Sequence, residues 1–167
     1  LSFGQSIKDR PKAPPLKEML PTRRELKESA APMLRGSGIG FLFGIVPGVG
    51  HIVSTFASYA VEKALSRRPE EFGKGAVAGV AGPETANNAT TGAAMIPLLV
   101  LGIPAIPVTA VLLSALTVHG VQPGPVIMVQ SPQFVYDVVA MMLFATLGIL
   151  FYGLTLTKLM VRVLQVP

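Results

Sequence analysis

The stretch GPETANNATTGAAMIPLLVLGIPAIP, Gly82 to Pro107, decides how this chain is read. It opens with a carboxylate, two asparagines and three threonines, then turns apolar, with Pro97, Pro104 and Pro107 interrupting the apolar part. Each proline withholds a backbone donor and crowds the carbonyl four residues before it, so a single unbroken helix is not expected. In hydrocarbon, polar groups freed at such breaks must be received by protein or by water. The stretch therefore predicts broken helices arranged around a polar site.

The surroundings are those of a membrane protein. Of the 167 residues, 50% are hydrophobic and 14% charged, and mean hydropathy is +0.56; soluble domains carry about a quarter charged residues. Residues 1–35 hold eight of the fourteen basic groups, whereas from Gly75 to Thr157 the only charged side chains are Glu84 and Asp137. Such segregation is expected when loops and spans face different solvents. The pI near 9.8 lacks a basic stripe with interleaved aromatics, which argues against nucleic acid. Its basic excess fits loops against an anionic, cytoplasmic membrane surface. With no cysteine, disulfides and thiolate metal sites are excluded. No Ser/His/Asp set, HExxH, phosphate-binding loop or dinucleotide fingerprint is present, so no enzymatic activity is expected. The start at Leu1 and the end at Pro167, straight after a predicted helix, lead to the expectation of a piece of a longer protein, hence a partial domain.

The expected fold is all-α: a polytopic membrane protein with broken helices and re-entrant hairpins. Residues 1–35 read as a polar cytoplasmic loop with one short surface helix, opened by the capping box Thr22-Arg-Arg-Glu25. The membrane part, 36–167, begins with an apolar run from Gly36 to Ala60 that is interrupted by Pro47-Gly48-Val49-Gly50. Segment 36–66 is either one kinked span or a hairpin with its tip at Pro47–Gly50. The hairpin is favoured because it leaves the basic 62–74 loop on the same face as the basic 1–35 segment. Segment 75–119 is expected in three helical pieces, about 75–82, 93–103 and 108–119. These form either a broken span with a second hairpin, or two spans with the first unwound at 83–91. Phe134 to Thr157, 24 residues, is the cleanest transmembrane helix, with Tyr136 and Tyr152 near its ends.

Glu84 is the sharpest candidate. A carboxylate at bilayer depth must face a cavity, bind a cation or carry a proton. Thr85, Asn87, Asn88 and Thr90 add neutral oxygens, so Glu84, Thr85, Asn87, Asn88 and Thr90 form a candidate cation-coupling set, with Na⁺ at Glu84, Thr85 and Asn88. The competing reading has Glu84 capping a helix at the interface. The breaks suit an anion: helices starting at them aim unpaired N–H groups and a positive dipole end outward. Pro47, Gly48, Gly50, Asn87, Asn88, Gly102, Ile103 and Pro104 are accordingly the candidate substrate-binding residues. The plainer alternative is close helix packing through Gly36, Gly38, Gly40 and Gly44. His51, beside the first break, reads as a structural hydrogen-bonding group rather than a proton relay.

The ordered phrases PGVG, SYAVEK, FGKG, PETANNA, LGIP and PGP, spread over Arg35 to Pro125, resemble the large membrane subunit of the tripartite tricarboxylate transporters. The resemblance implies a permease of the bacterial inner membrane that works with a small membrane subunit and a periplasmic solute-binding protein. It implies uptake of citrate-like carboxylates driven by an ion gradient, Na⁺ or H⁺, without other cofactors, and places this chain in the second of two related halves. The alternative class is a non-transporting membrane scaffold or assembly subunit. One departure stands out: Ala105 follows the LGIP proline where the family pattern has Gly.

Overall fold

The computed structural model describes residues 20–164, with side chains through residue 156; the expectations for 1–19 and 165–167 lie outside the described residues. The described chain is all-α. Helix α1 is Arg23–Ile45, α2 Gly50–Leu65, α3 Ala78–Ala93, α4 Met95–Leu101, α5 Pro107–Val118, α6 Ile127–Gln130 and α7 Pro132–Leu164. Residues 23–138 make one compact unit, and α7 from residue 139 onward falls outside it.

In this unit α1, α2 and α3 pack as a bundle whose polarity is inverted relative to a soluble core. The buried positions of α1 are Ser29, Pro32, Gly36, Gly40 and Gly44, and those of α2 are Ser54, Ser58 and Glu62. Both sets recur every three or four residues, so each makes one helical stripe. The side chains turned outward are large and apolar, among them Leu34, Leu42, Ile52, Phe56 and Val80.

Glycine is required on α1 because α3 lies directly against its backbone. A Cβ on Gly36 would sit 2.3 Å from the Gly82 carbonyl oxygen, one on Gly40 2.2 Å from that of Ala86, and one on Gly44 2.7 Å from that of Thr90. Gly38 takes no part: it is exposed, and its Cβ would meet nothing within 4 Å. The packing expected of four glycines is thus carried by three.

Two sequence expectations are corrected. Helix α1 does not stop at residue 35; it runs 23 residues from the polar segment into the apolar one. Arg24 pairs with Glu28 at 2.7 Å on its exposed first turns, a hydrogen bond and charge that hold the guanidinium above its ordinary pKa. Residues 83–91 are not unwound either, since α3 is continuous through Pro83. Pro83 lies in the second turn and withholds only the bond to the Gly79 carbonyl. The polar side chains bond the helix they stand on: Thr85 to Ala81 O at 2.7 Å, Asn88 to Glu84 O at 2.8 Å and Thr91 to Asn87 O at 3.2 Å. The break falls later, at Ala94, because Pro97 has no N–H for the Ala93 carbonyl.

At Pro47–Gly50 the chain reverses. Arg35 meets Glu62, while the Gly40 carbonyl and Ser54 Oγ meet the same Thr90 hydroxyl, so the two arms run back alongside each other as a hairpin. Its turn uses positive φ at Gly48 (+86°) and Gly50 (+70°). Beyond α2, buried Phe72 closes the polar 66–77 loop by meeting Tyr59 edge-to-face at 5.4 Å. Among the described residues one helical stretch is long and apolar enough to cross a membrane, Pro132–Leu156, with mean hydropathy 2.1 and none of it buried.

Gly40→Val is expected to destabilise the bundle by about 1–3 kcal/mol or more, because backbone stands where the side chain would go. Gly38→Ala is expected to be neutral or mildly stabilising. Thermal unfolding of the two full-length variants in detergent would show the difference.

Candidate substrate and cation site

The proline-glycine breaks come together at one end of the bundle. The Gly48 N–H donates to the Ala105 carbonyl at 3.0 Å. Ala105 and Ile106 are buried and cluster with Ala94 at the α3–α4 junction. Gly102 ends α4 in the left-handed region (φ +69°), its N–H donating to Leu98 O at 3.0 Å and that of Ile103 to Pro97 O at 3.1 Å. The PGP loop folds back over this end, Gly124 N–H donating to Leu99 O at 2.9 Å. Buried Thr109 caps α5: its hydroxyl receives the Ile106 N–H at 3.0 Å.

Two of the predicted substrate contacts, Pro47 and Gly48, are exposed at the hairpin tip; Gly50 is half-buried. Ile103 is exposed, and Gly102 and Pro104 are half-buried, on the second break. The Gly48 donor expected to face an anion is occupied by Ala105. The first-turn N–H groups of α2 have no partner within their own helix.

The PETANNATT segment is divided between two faces of α3. Thr90 points inward and is fully buried, its Oγ1 lying 2.7 Å from Ser54 Oγ, 2.8 Å from Ala86 O and 3.2 Å from Gly40 O. Ser54 Oγ in turn donates to His51 O at 2.9 Å. Glu84 and Asn88 lie on the exposed face, and Thr85 and Asn87 are half-buried. Thr90 is therefore separated from the rest of the predicted cation set. At the helical rise, Glu84 is about 13 Å along α3 from Ala93, beside which the breaks meet.

One polar feature escaped the sequence reading. Glu62, expected in a solvated loop, is buried, and Arg35 clamps its carboxylate through Nε at 2.7 Å and Nη2 at 2.6 Å. Gly82 makes room for it, since a Cβ there would sit 2.7 Å from Glu62 Cγ. The available signal was spacing: Ser54, Ser58 and Glu62 recur at four-residue intervals, a stripe running past the apparent loop boundary. Ser58 Oγ and His51 Nδ1 are buried atoms without a hydrogen-bond partner.

Comparison with known proteins settles the family. Residues 3–167 match the profile described as "Tripartite tricarboxylate transporter TctA family". The chain belongs to the TctA family. Two curated relatives, both from Agrobacterium vitis, are similar to this TctA-family chain. An uncharacterized 52.8 kDa protein in the TAR-I ttuC' 3' region is 42% identical over 146 residues, 87% of this chain and 29% of that protein. An uncharacterized protein in the TAR-II ttuC' 3' region is 46% identical over 128 residues, 77% of this chain and 53% of that protein. The chain thus spans only part of these relatives, 29% of the one and 53% of the other. No solved structure matches.

Gly102→Ala is expected to cost about 1–2 kcal/mol for the left-handed backbone and more because its Cβ would lie 2.8 Å from the Pro123 carbonyl oxygen. Gly48→Ala has only the first cost, since nothing lies within 4 Å of its Cβ position. Glu62→Ala should cost about 3 kcal/mol, the low end for breaking a buried pair, since Arg35 can reach solvent. Adding Arg35→Met to Glu62→Leu should restore most of that loss. Detergent melting curves of the full-length protein would rank all four.

Proposed function

We propose that this TctA-family chain is part of the membrane-embedded permease subunit of a tripartite transporter in the bacterial inner membrane. In this reading it works with a small membrane subunit and takes citrate-like carboxylates from a periplasmic binding protein, driven by a Na⁺ or H⁺ gradient. The observation that carries the proposal is the junction of the PGVG, LGIP and PGP elements at one end of a bundle with a polar interior and an apolar exterior. Helices begin and end there beside irregular backbone, an arrangement that recurs where transporters hold small ions. The α2 N-terminus, with its first-turn N–H groups and positive dipole end, attracts an anion without a buried lysine or arginine at that end.

Glu84, with Thr85 and Asn88, is assigned to the coupling cation, because its negative charge would repel the substrate. Standing on the exposed face, it has room for ligands from parts of the whole protein outside the described residues. The glycine packing of α1 favours a second reading, an assembly subunit whose small residues serve contact alone.

Uptake of labelled citrate by cells carrying the whole transporter tests both. Under the carrier reading, Glu84→Gln lowers the initial rate about tenfold or more at limiting cation, equivalent to losing one charge-assisted contact. Unchanged rate and unchanged ion dependence would remove Glu84 from the cation site. A wild-type protein that assembles but does not move citrate-like carboxylates would favour the scaffold.

A further inference from the structure

Glu62 is the one buried ionisable side chain among the described residues, and the carrier reading above makes no use of it. A buried pair of this kind contributes little net stability over apolar residues of the same volume. The bundle elsewhere closes on glycine, alanine and serine, so nothing in the packing asks for charge. Two features of the surroundings point to a ligand. Ser58 stands one turn before Glu62 on the same face, wholly buried, with its Oγ unpartnered. A buried hydroxyl left over in this way marks a place where water or an ion belongs. Arg35 is unlike both neighbours: 38% of its side chain is exposed against 1% for Glu62, so its guanidinium can withdraw outward without the bundle opening.

We infer that Glu62 and Ser58 form a seat for a monovalent alkali cation, Na⁺, and that Arg35 is a tethered stand-in holding the carboxylate while the cation is away. The ion takes the space vacated by the guanidinium fork, with the Glu62 carboxylate and Ser58 Oγ as hard oxygen ligands. One carboxylate balances one positive charge in either state, so the buried acid is never left unpaired. Gly82 bounds the seat on α3: a Cβ would stand 2.7 Å from Glu62 Cγ and 3.1 Å from Ser58 Oγ, displacing both. Cation occupancy and release of the Arg35 tie between the hairpin arms become one equilibrium, because Na⁺ binds only the state in which Arg35 has left. The role of this seat in transport rests on the ion-driven reading; its existence does not.

The test is binding of radioactive Na⁺ alone to the purified full-length protein in detergent, without carboxylate. The wild type should bind saturably. Arg35→Gln with Glu62→Gln removes both charges together and should lower the bound Na⁺ by one ion per chain. Ser58→Ala deletes only a hydroxyl without a partner, so it should fold as wild type and raise the Kd about three- to tenfold. Arg35→Lys exchanges a two-point clamp for a single point charge and should tighten Na⁺ binding. A wild type that binds no Na⁺, or a Kd and stoichiometry unmoved by the Ser58 and double variants, overturns the seat. Citrate uptake measured in parallel separates the two ideas. Uptake absent with Glu62-dependent Na⁺ binding intact defeats the carrier reading alone; ion-driven uptake with Na⁺ binding indifferent to Glu62 and Ser58 defeats the seat alone.

Discussion

Backbone contact between α1 and α3 is the constraint from which the rest follows. Lipid tails are as apolar as leucine, so helices in a bilayer gain little by hiding leucine from them; they gain by close van der Waals fit. Gly36, Gly40 and Gly44 let α3 approach until its carbonyls stand where side chains would otherwise be. At that separation the α1–α3 contact fills with glycine, alanine and threonine, and Glu62 is admitted only where Gly82 leaves room. A buried hydroxyl then costs free energy unless it finds a partner nearby. Thr90 does so by reaching the Gly40 carbonyl and Ser54 at once, tying three helices through one oxygen. On these three helices the leucines and valines, with Phe41 and Phe56, are left for the outside.

Much of this was legible in the sequence. The long apolar helix, the reversal at Pro47–Gly50, the second break after Leu101 and the glycine spacing of α1 all follow from local chemistry, which a sequence carries directly. What was hidden depends on register between elements. Arg35 and Glu62 are 27 residues apart, and each lies at the edge of a polar segment, where solvent is the natural partner. Only the hairpin register turns them toward each other. Pro83 misled for a related reason. A proline in the second turn removes one bond, and the contact of Gly82 and Ala86 with α1 outweighs that loss.

The PETANNATT segment shows the same limit at the candidate site. Its composition suggests one cluster of oxygens, but a continuous helix distributes them around its circumference. Thr90 goes to the bundle, while Glu84 and Asn88 go to the exposed side. Whether a polar residue packs or binds is decided here by its angle about the α3 axis. The sequence lists the residues; the angle comes from which face the α1 glycines receive.

The bond between Gly48 and Ala105 is main chain to main chain. A side-chain substitution can change the surface around that junction, yet the donor and acceptor are present whatever residue occupies either position, proline at 48 excepted. Ala105 presents its carbonyl to this bond and has its methyl group buried against Ala94 and Ile106. The junction of the two breaks is thus insulated from drift in its own side chains. The lining of this end of the bundle can change in size and polarity while the hairpin tip stays hung from the same point.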